Sequence, residues 1–187
     1  MRELVVLTEE PSARDLLAGL LPRLLPAGWS FRCYPYEGKQ DLEKRGPLLL
    51  RAWQNPDAVF MVLRDQDSGD CRMVKARLVA RFVDERRGRR ILLRVACREL
   101  ESWIVGDLRA FAEEFGVPTA ARAVGKAKYR DPDALANPSL ELGAFVPDYR
   151  KRDGARRMGL RLQPGRNASP SFRASLPAPA TMRDPVA

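Results

Sequence analysis

Histidine is absent from all 187 residues. Its absence removes the commonest general base and a frequent metal ligand, and it excludes a Ser-His-Asp triad outright. Cysteine is scarce: Cys33, Cys71 and Cys97 lie far apart, with no Cys-x-x-Cys, so a zinc site of the usual kinds has too few ligands. A chain of this length buries a real core without a disulfide scaffold, and the thiols read as buried, reduced side chains of a cytoplasmic protein. Long hydrophobic runs are missing as well, none approaching the roughly 20 apolar residues of a membrane span. The amino terminus, Met1-Arg2-Glu3-Leu4-Val5-Val6-Leu7-Thr8-Glu9-Glu10, meets acids too early for a secretory signal. The expectation is one soluble, intracellular domain with no membrane partner, whose chemistry rests on carboxylates, lysines, arginines and hydroxyls.

Charge of one sign is in excess: 33 Lys and Arg against 24 Asp and Glu give a net charge of +9. Such an excess points to an anionic partner, nucleic acid first among them. GC-rich coding sequence, which enriches Arg, Ala and Pro, produces the same excess without any partner.

The chain is organised around residues 58–75. The run Ala58-Val59-Phe60-Met61-Val62-Leu63 reads as a strand buried on both faces, and it empties into Asp65-Gln66-Asp67-Ser68-Gly69-Asp70. From Cys71 to Val83 apolar side chains recur three and four apart, as in an amphipathic helix. The acids therefore sit at a strand-to-helix junction, where Asp67 and Asp70 form a capping pair or Asp65 and Asp67 hold a divalent cation. Residues 4–7 read as a first strand, followed by Glu9-Glu10-Pro11-Ser12 and a leucine-faced helix with a capping box of Ser12 and Asp15. Pro22 and Pro26 stop that helix. A second strand is expected over 29–36, a second helix over 41–53 and a fourth strand over 91–97. The last of these ends at Glu99-Leu100-Glu101-Ser102-Trp103 and leads into a helix over 103–115, with a kink or a fresh start at Gly106-Asp107. Strands alternating with helices predict a parallel α/β sheet. Residues 84–90 read as a charged surface loop, and short helices are expected over 139–146 and 154–162.

Three strands ending in acids make a costly cluster of like charges unless a cation neutralises them. Mg2+ or Mn2+ suits such a cluster, accepting a few carboxylates and keeping several waters. Glu9 and Glu10 are alternatively acids favoured by a helix dipole, as are Glu99 and Glu101. Lys126, Lys128 and Arg130, around Tyr129, are candidate phosphate clamps or simply a solvated loop. Lys39, just past Gly38, is within reach of an anion. Trp53 and Trp103 fit core positions, and Ser171 and Phe172 read as packing of the last element.

A glutamate after the first strand and an Asp-x-Asp after a later one, here Glu9 with Asp65 and Asp67, resemble the TOPRIM domain of topoisomerases, primases, recombination mediators and OLD-type nucleases. More closely, the chain resembles a small bacterial domain-of-unknown-function family grouped with TOPRIM-like folds. The signatures are Glu9-Glu10-Pro11-Ser12, Asp65-x-Asp67-x-x-Asp70-Cys71-x-x-x-Lys75, Glu99-Leu100-Glu101-x-Trp103-x-x-Gly106-Asp107, Lys126-x-Lys128-Tyr129-Arg130-Asp131-Pro132 and Ser169-x-Ser171-Phe172. The resemblance implies a TOPRIM-like (Rossmann-like), mainly parallel four-stranded sheet flanked by helices. It also implies magnesium and phosphodiester chemistry of a nuclease-like kind, in a bacterial defence or mobile-element setting. Glu9, Asp65 and Asp67 would hold the metal, with Glu101 an accessory ligand or base. The rival expectation is a non-catalytic module that binds a partner such as an ATPase and keeps the acids as a structural or regulatory metal site. Two departures stand out: Glu10 occupies the place of the glycine that follows the usual TOPRIM glutamate, and the Pro-rich ending after Phe172 replaces a helical finish, as truncation or a shifted reading frame would. The division expected is a core over 1–115, a basic extension packed on it over 116–172, and a disordered tail over 173–187.

Overall fold

Period-two alternation decides which way each strand faces. In β1 (Arg2–Thr8), Leu4 and Val6 join one core while Val5 and Leu7 join another, and all four are fully buried. The same split runs through β3 (Val59–Asp65), where Val59, Met61 and Leu63 face one way and Phe60 and Val62 the other. Strands buried on both faces belong inside a parallel sheet, and these two are its neighbouring central pair. The computed structural model, which describes residues 2–82, 84 and 90–176, places β2 (Trp29–Pro35) and β4 (Arg90–Ala96) at the edges, in the order β2-β1-β3-β4 with every pair parallel. This is a mixed α/β fold consistent with the Rossmann-like, TOPRIM-like architecture that the resemblance implies.

Helices α2 (Lys39–Ala52) and α3 (Cys71–Arg81) cover the face of Val5, Leu7, Phe60 and Val62, burying Leu42, Leu50, Val74 and Leu78. The opposite face takes α1 (Pro11–Leu20) and the later helices α4 (Glu101–Val105), α5 (Leu108–Phe115), α6 (Pro118–Ala123), α7 (Pro138–Phe145), α8 (Lys151–Gly159) and α9 (Pro170–Ser175). Leu142, Ala155, Met158 and Phe172 lie in the same core as Leu16, Trp103 and Phe111. Trp103 donates its indole N–H to Ser171 Oγ at 2.9 Å and meets Phe172 edge-on, with ring centroids 5.4 Å apart. Helix α8 lies directly on α1: a Cβ on Gly19 would stand 2.8 Å from the backbone of Gly159. Arg152 reaches Asp15 at 2.9 Å, and Arg157 and Arg161 hold Glu114 at 2.9 and 2.7 Å.

Several local expectations change. Glu10, not Ser12, is the N-cap of α1, because Pro11 with its fixed φ starts the helix two residues earlier. Ser12 donates to Glu10 Oε1 at 2.6 Å, and Asp15 pairs with arginines rather than closing a capping box. Asp70 alone caps α3, accepting from Met73 N at 2.9 Å, while Asp67 turns to Lys39. The helical stretch expected over 103–115 begins two residues earlier, at Glu101, and the fresh start expected at Gly106-Asp107 is there: α5 begins at Leu108, with Asp107 accepting from Ala110 N. Helix α9 runs on to Ser175, into the segment expected to be a tail. The rest of that tail, and the charged loop over 85–89, lie outside the described residues. Cys71 and Cys97, distant in sequence, meet with their sulfurs 4.0 Å apart.

At the α1–α8 crossing a single methyl has nowhere to go. Gly159→Ala is expected to lose about 1–3 kcal/mol through overpacking against the backbone of Leu16. Gly143→Ala in α7, where no described atom lies within 4 Å of the added carbon, is expected to gain about 0.5–1 kcal/mol. Urea unfolding of the two variants checks the contrast.

Candidate functional site

Between β1 and β3 the strand order reverses: one chain path leaves β1 for β2, the other leaves β3 for β4. In open parallel sheets the crevice at such a switch point, beyond the carboxyl ends, is where ligands bind. Here it is lined with acids. Glu9 follows β1 directly; its amide donates to Leu63 O at 3.2 Å, and its Oε2 accepts from the amide of Asp65 at 3.2 Å. Burial first, then the charge of Asp67, raises the Glu9 carboxyl above its ordinary range, against the pull of Arg64. Asp65 ends β3 and is raised much further, by burial and then by repulsion from Glu101, Glu10 and Glu9, although the amide of Leu100 donates to it.

Glu101 opens α4 at 0% exposure, and neither of its carboxylate oxygens has a hydrogen-bond partner. Burial pushes it up to about 7, with Lys151 pulling the other way. Lys151 begins α8, and its ammonium stands 3.4 Å from Glu99 Oε2 and 3.5 Å from Glu101 Oε2. Burial would lower this lysine, but Glu101, Glu99, Glu10 and Asp65 together hold it above its ordinary value. The hydroxyl of Tyr149 is also buried without a partner, its pKa raised by burial and then by Glu101 and Glu99.

Glu9, Asp65 and Glu101 are thus electrostatic neighbours at one edge, joined by Glu10. Asp67 belongs to its rim. It occupies the left-handed region at φ 57, and its carboxylate pairs with Lys39 at 2.9 Å, where both side chains are substantially exposed. Among the described residues no three His, Cys, Asp or Glu side chains stand close enough together to hold a metal ion. The basic candidates are dispersed. Lys126 is exposed, Lys128 pairs with Glu141 at 2.7 Å, and Arg130 lines a separate cavity.

Sequence reasoning missed two basic residues. Lys151 lies in the basic run Tyr149-Arg150-Lys151-Arg152 of the extension, where nothing in the sequence sets it apart from its neighbours. Arg64 interrupts an otherwise apolar strand, and a lone charge there was the available signal. It is buried, pairs with buried Glu43 at 2.5 Å and comes to 3.7 Å from Glu9 Oε2.

A model of the family described as Domain of unknown function (DUF4276) matches residues 8–176. The chain belongs to that family. The match takes in both the acid edge and the helices that carry Lys151 and Ser171, so the family's unit includes the later helices. No curated protein and no solved structure matches the chain.

The raised Glu101 carboxyl has a consequence for stability. Between the unperturbed value of 4.5 and about 7 the folded protein holds a proton that the unfolded chain releases. Its stabilising effect is complete below the lower value and is lost as pH rises through the upper one, a loss on the order of 3 kcal/mol. Glu101→Gln cannot ionise. Its melting temperature relative to the parent chain is expected to rise by several degrees between pH 5 and pH 8, measured by thermal unfolding across that range.

Proposed function

We propose that this α/β domain is TOPRIM-like and that its acid edge carries out Mg2+- or Mn2+-dependent phosphodiester chemistry on nucleic acid, as a nuclease does. The observation that carries the reading is the buried Glu101 carboxyl, both oxygens without hydrogen bonds, facing a cluster in which Glu9 and Asp65 also resist ionisation. A buried charge with a single ammonium 3.5 Å away and no hydrogen bonds is costly, and hard oxygen donors left in that state at a switch point suit a hard cation. Glu9 and Asp65, already tied through the Asp65 amide, would hold it as two carboxylates with the remaining positions left to water, and Glu101 would stand beside it as the accessory base. When bound, the ion would supply neutralisation of the phosphate and orientation of a water. Lys151 offers an ammonium to a phosphate oxygen from the far side of Glu101, and Glu101, poised near neutrality, is matched to accepting a proton. Asp67, held by Lys39, orders the loop between β3 and α3. The net +9 favours a polyanion, and the exposed Lys126, Arg130 and Arg150 extend the basic surface.

One observation favours the rival reading, a non-catalytic module for a partner such as an ATPase. Lys39 and Lys151 already neutralise Asp67 and part of the Glu99–Glu101 pair, which a purely architectural acid edge would require. A cleavage assay on single- and double-stranded DNA and RNA, with Mg2+ or Mn2+, separates the two. Cleavage is expected, and Asp65→Asn and Glu9→Gln are expected to lower it at least 100-fold and to abolish any metal-induced rise in melting temperature. Asp67→Asn, which gives up only an exposed ion pair, is expected to stay within about tenfold and to change stability by less than about 1 kcal/mol. A melting shift with metal but no cleavage of any substrate supports the rival; neither effect ends the metal reading altogether.

A further inference from the structure

Beyond the acid edge, at the other end of α4, opens a cavity of about 420 Å3. Val105, Val124 and Tyr129 give it apolar and aromatic walls, and Gly125, at φ 89, contributes a stretch of bare backbone. Three arginines, Arg109, Arg130 and Arg166, line it together with a single acidic residue. That carboxylate, Asp107, is already committed: it caps α5 and takes Arg166 at 2.9 Å. Arg109 and Arg130 have no ion-pair or side-chain hydrogen-bond partner among the described residues. The cavity therefore has two uncompensated positive charges above an apolar wall.

Size and chemistry together narrow the ligand. A bare phosphate would leave most of this volume empty, whereas cavities of several hundred Å3 take small organic ligands. Guanidinium forks match phosphate oxygens, and a tyrosine ring beside aliphatic side chains suits the flat face of a base. We propose that this cavity binds a nucleoside monophosphate unit, its phosphate on Arg109 and Arg130 and its base against Val105, Val124 and Tyr129. The unit is either a free nucleotide or the 5′-phosphorylated end of a strand. The second source rests on the nucleic-acid reading of the acid edge, from which the cavity is separated by the short helix α4, about 6 Å of rise between Glu101 and Val105.

Calorimetric titration of the full chain tests the proposal in the presence of EDTA, so that the outcome does not depend on metal or cleavage. AMP is expected to bind, with adenosine and inorganic phosphate each at least tenfold weaker. Arg109→Ala and Arg130→Ala are each expected to weaken AMP at least tenfold with unchanged melting temperature, since neither side chain holds a partner in place. Binding is expected to persist in Asp65→Asn. Displacement of AMP by a 5′-phosphorylated single-stranded oligonucleotide, but not by its 5′-hydroxyl counterpart, assigns the site to a strand end; AMP binding without such displacement assigns it to a free nucleotide. Failure of AMP and of the phosphorylated oligonucleotide to bind, or binding unaltered in both arginine variants, overturns the proposal whatever the cleavage assay shows.

Discussion

Every strand of an all-parallel sheet ends on the same side, and in this chain the acids that follow β1, β3 and β4 gather there. The repulsion gathered there is the constraint that the surrounding structure answers. Each positive group near the edge arrives from a different element: Lys39 from α2, Arg64 from inside β3, Lys151 from α8. Arg64 is itself held by buried Glu43, which Arg77 also reaches at 2.7 Å, so a chain of charges runs from exposed Arg77 through buried Glu43 and Arg64 to Glu9. Neutralisation nonetheless falls short at Glu101, and this shortfall gives the edge its chemical character. A cluster fully paired by arginines would be inert; one left partly protonated near neutral pH can exchange a proton or accept a cation.

The segment after α5 is accordingly part of the site. It supplies Lys151, the ring and hydroxyl of Tyr149, and the backing for α4 through Ser171 and Phe172. Asp133 ties this backing together, accepting from the hydroxyls of Ser169 and Ser171 and from the amide of Ser171. The buried Glu101 is held still because the helix it opens is packed by residues some 70 positions later in the chain, such as Ser171, 68 positions beyond Trp103.

What could be read from residues alone follows from the range of the interactions involved. Strands β1 and β3 were plain in the apolar runs, since a strand buried on both faces needs no polar alternation, and α/β alternation implied the parallel sheet. The convergence of Glu9 and Asp65 followed from that sheet. Asp67 did not follow: one residue past the strand the backbone takes a positive φ, and the side chain swings to Lys39, a matter of local turn geometry that the Asp-x-Asp spacing does not encode. Lys151 and Arg64 were missed because their roles depend on contacts with residues on other elements, distant in the chain, and a charge looks the same in a sequence whether it is solvated or aimed into a cluster. The meeting of Cys71 with Cys97 escaped notice for the same reason.

The close contact between Gly19 and Gly159 also works as a gauge. Lys151 and Gly159 stand at opposite ends of one helix, about 12 Å apart along its axis, so the crossing that seats the far end also fixes the azimuth of the near end. Deleting an uncharged residue between them, such as Ala155, would leave the net charge as it is, yet rotate the lysine by about 100° relative to the crossing and leave the acid edge facing a different side chain.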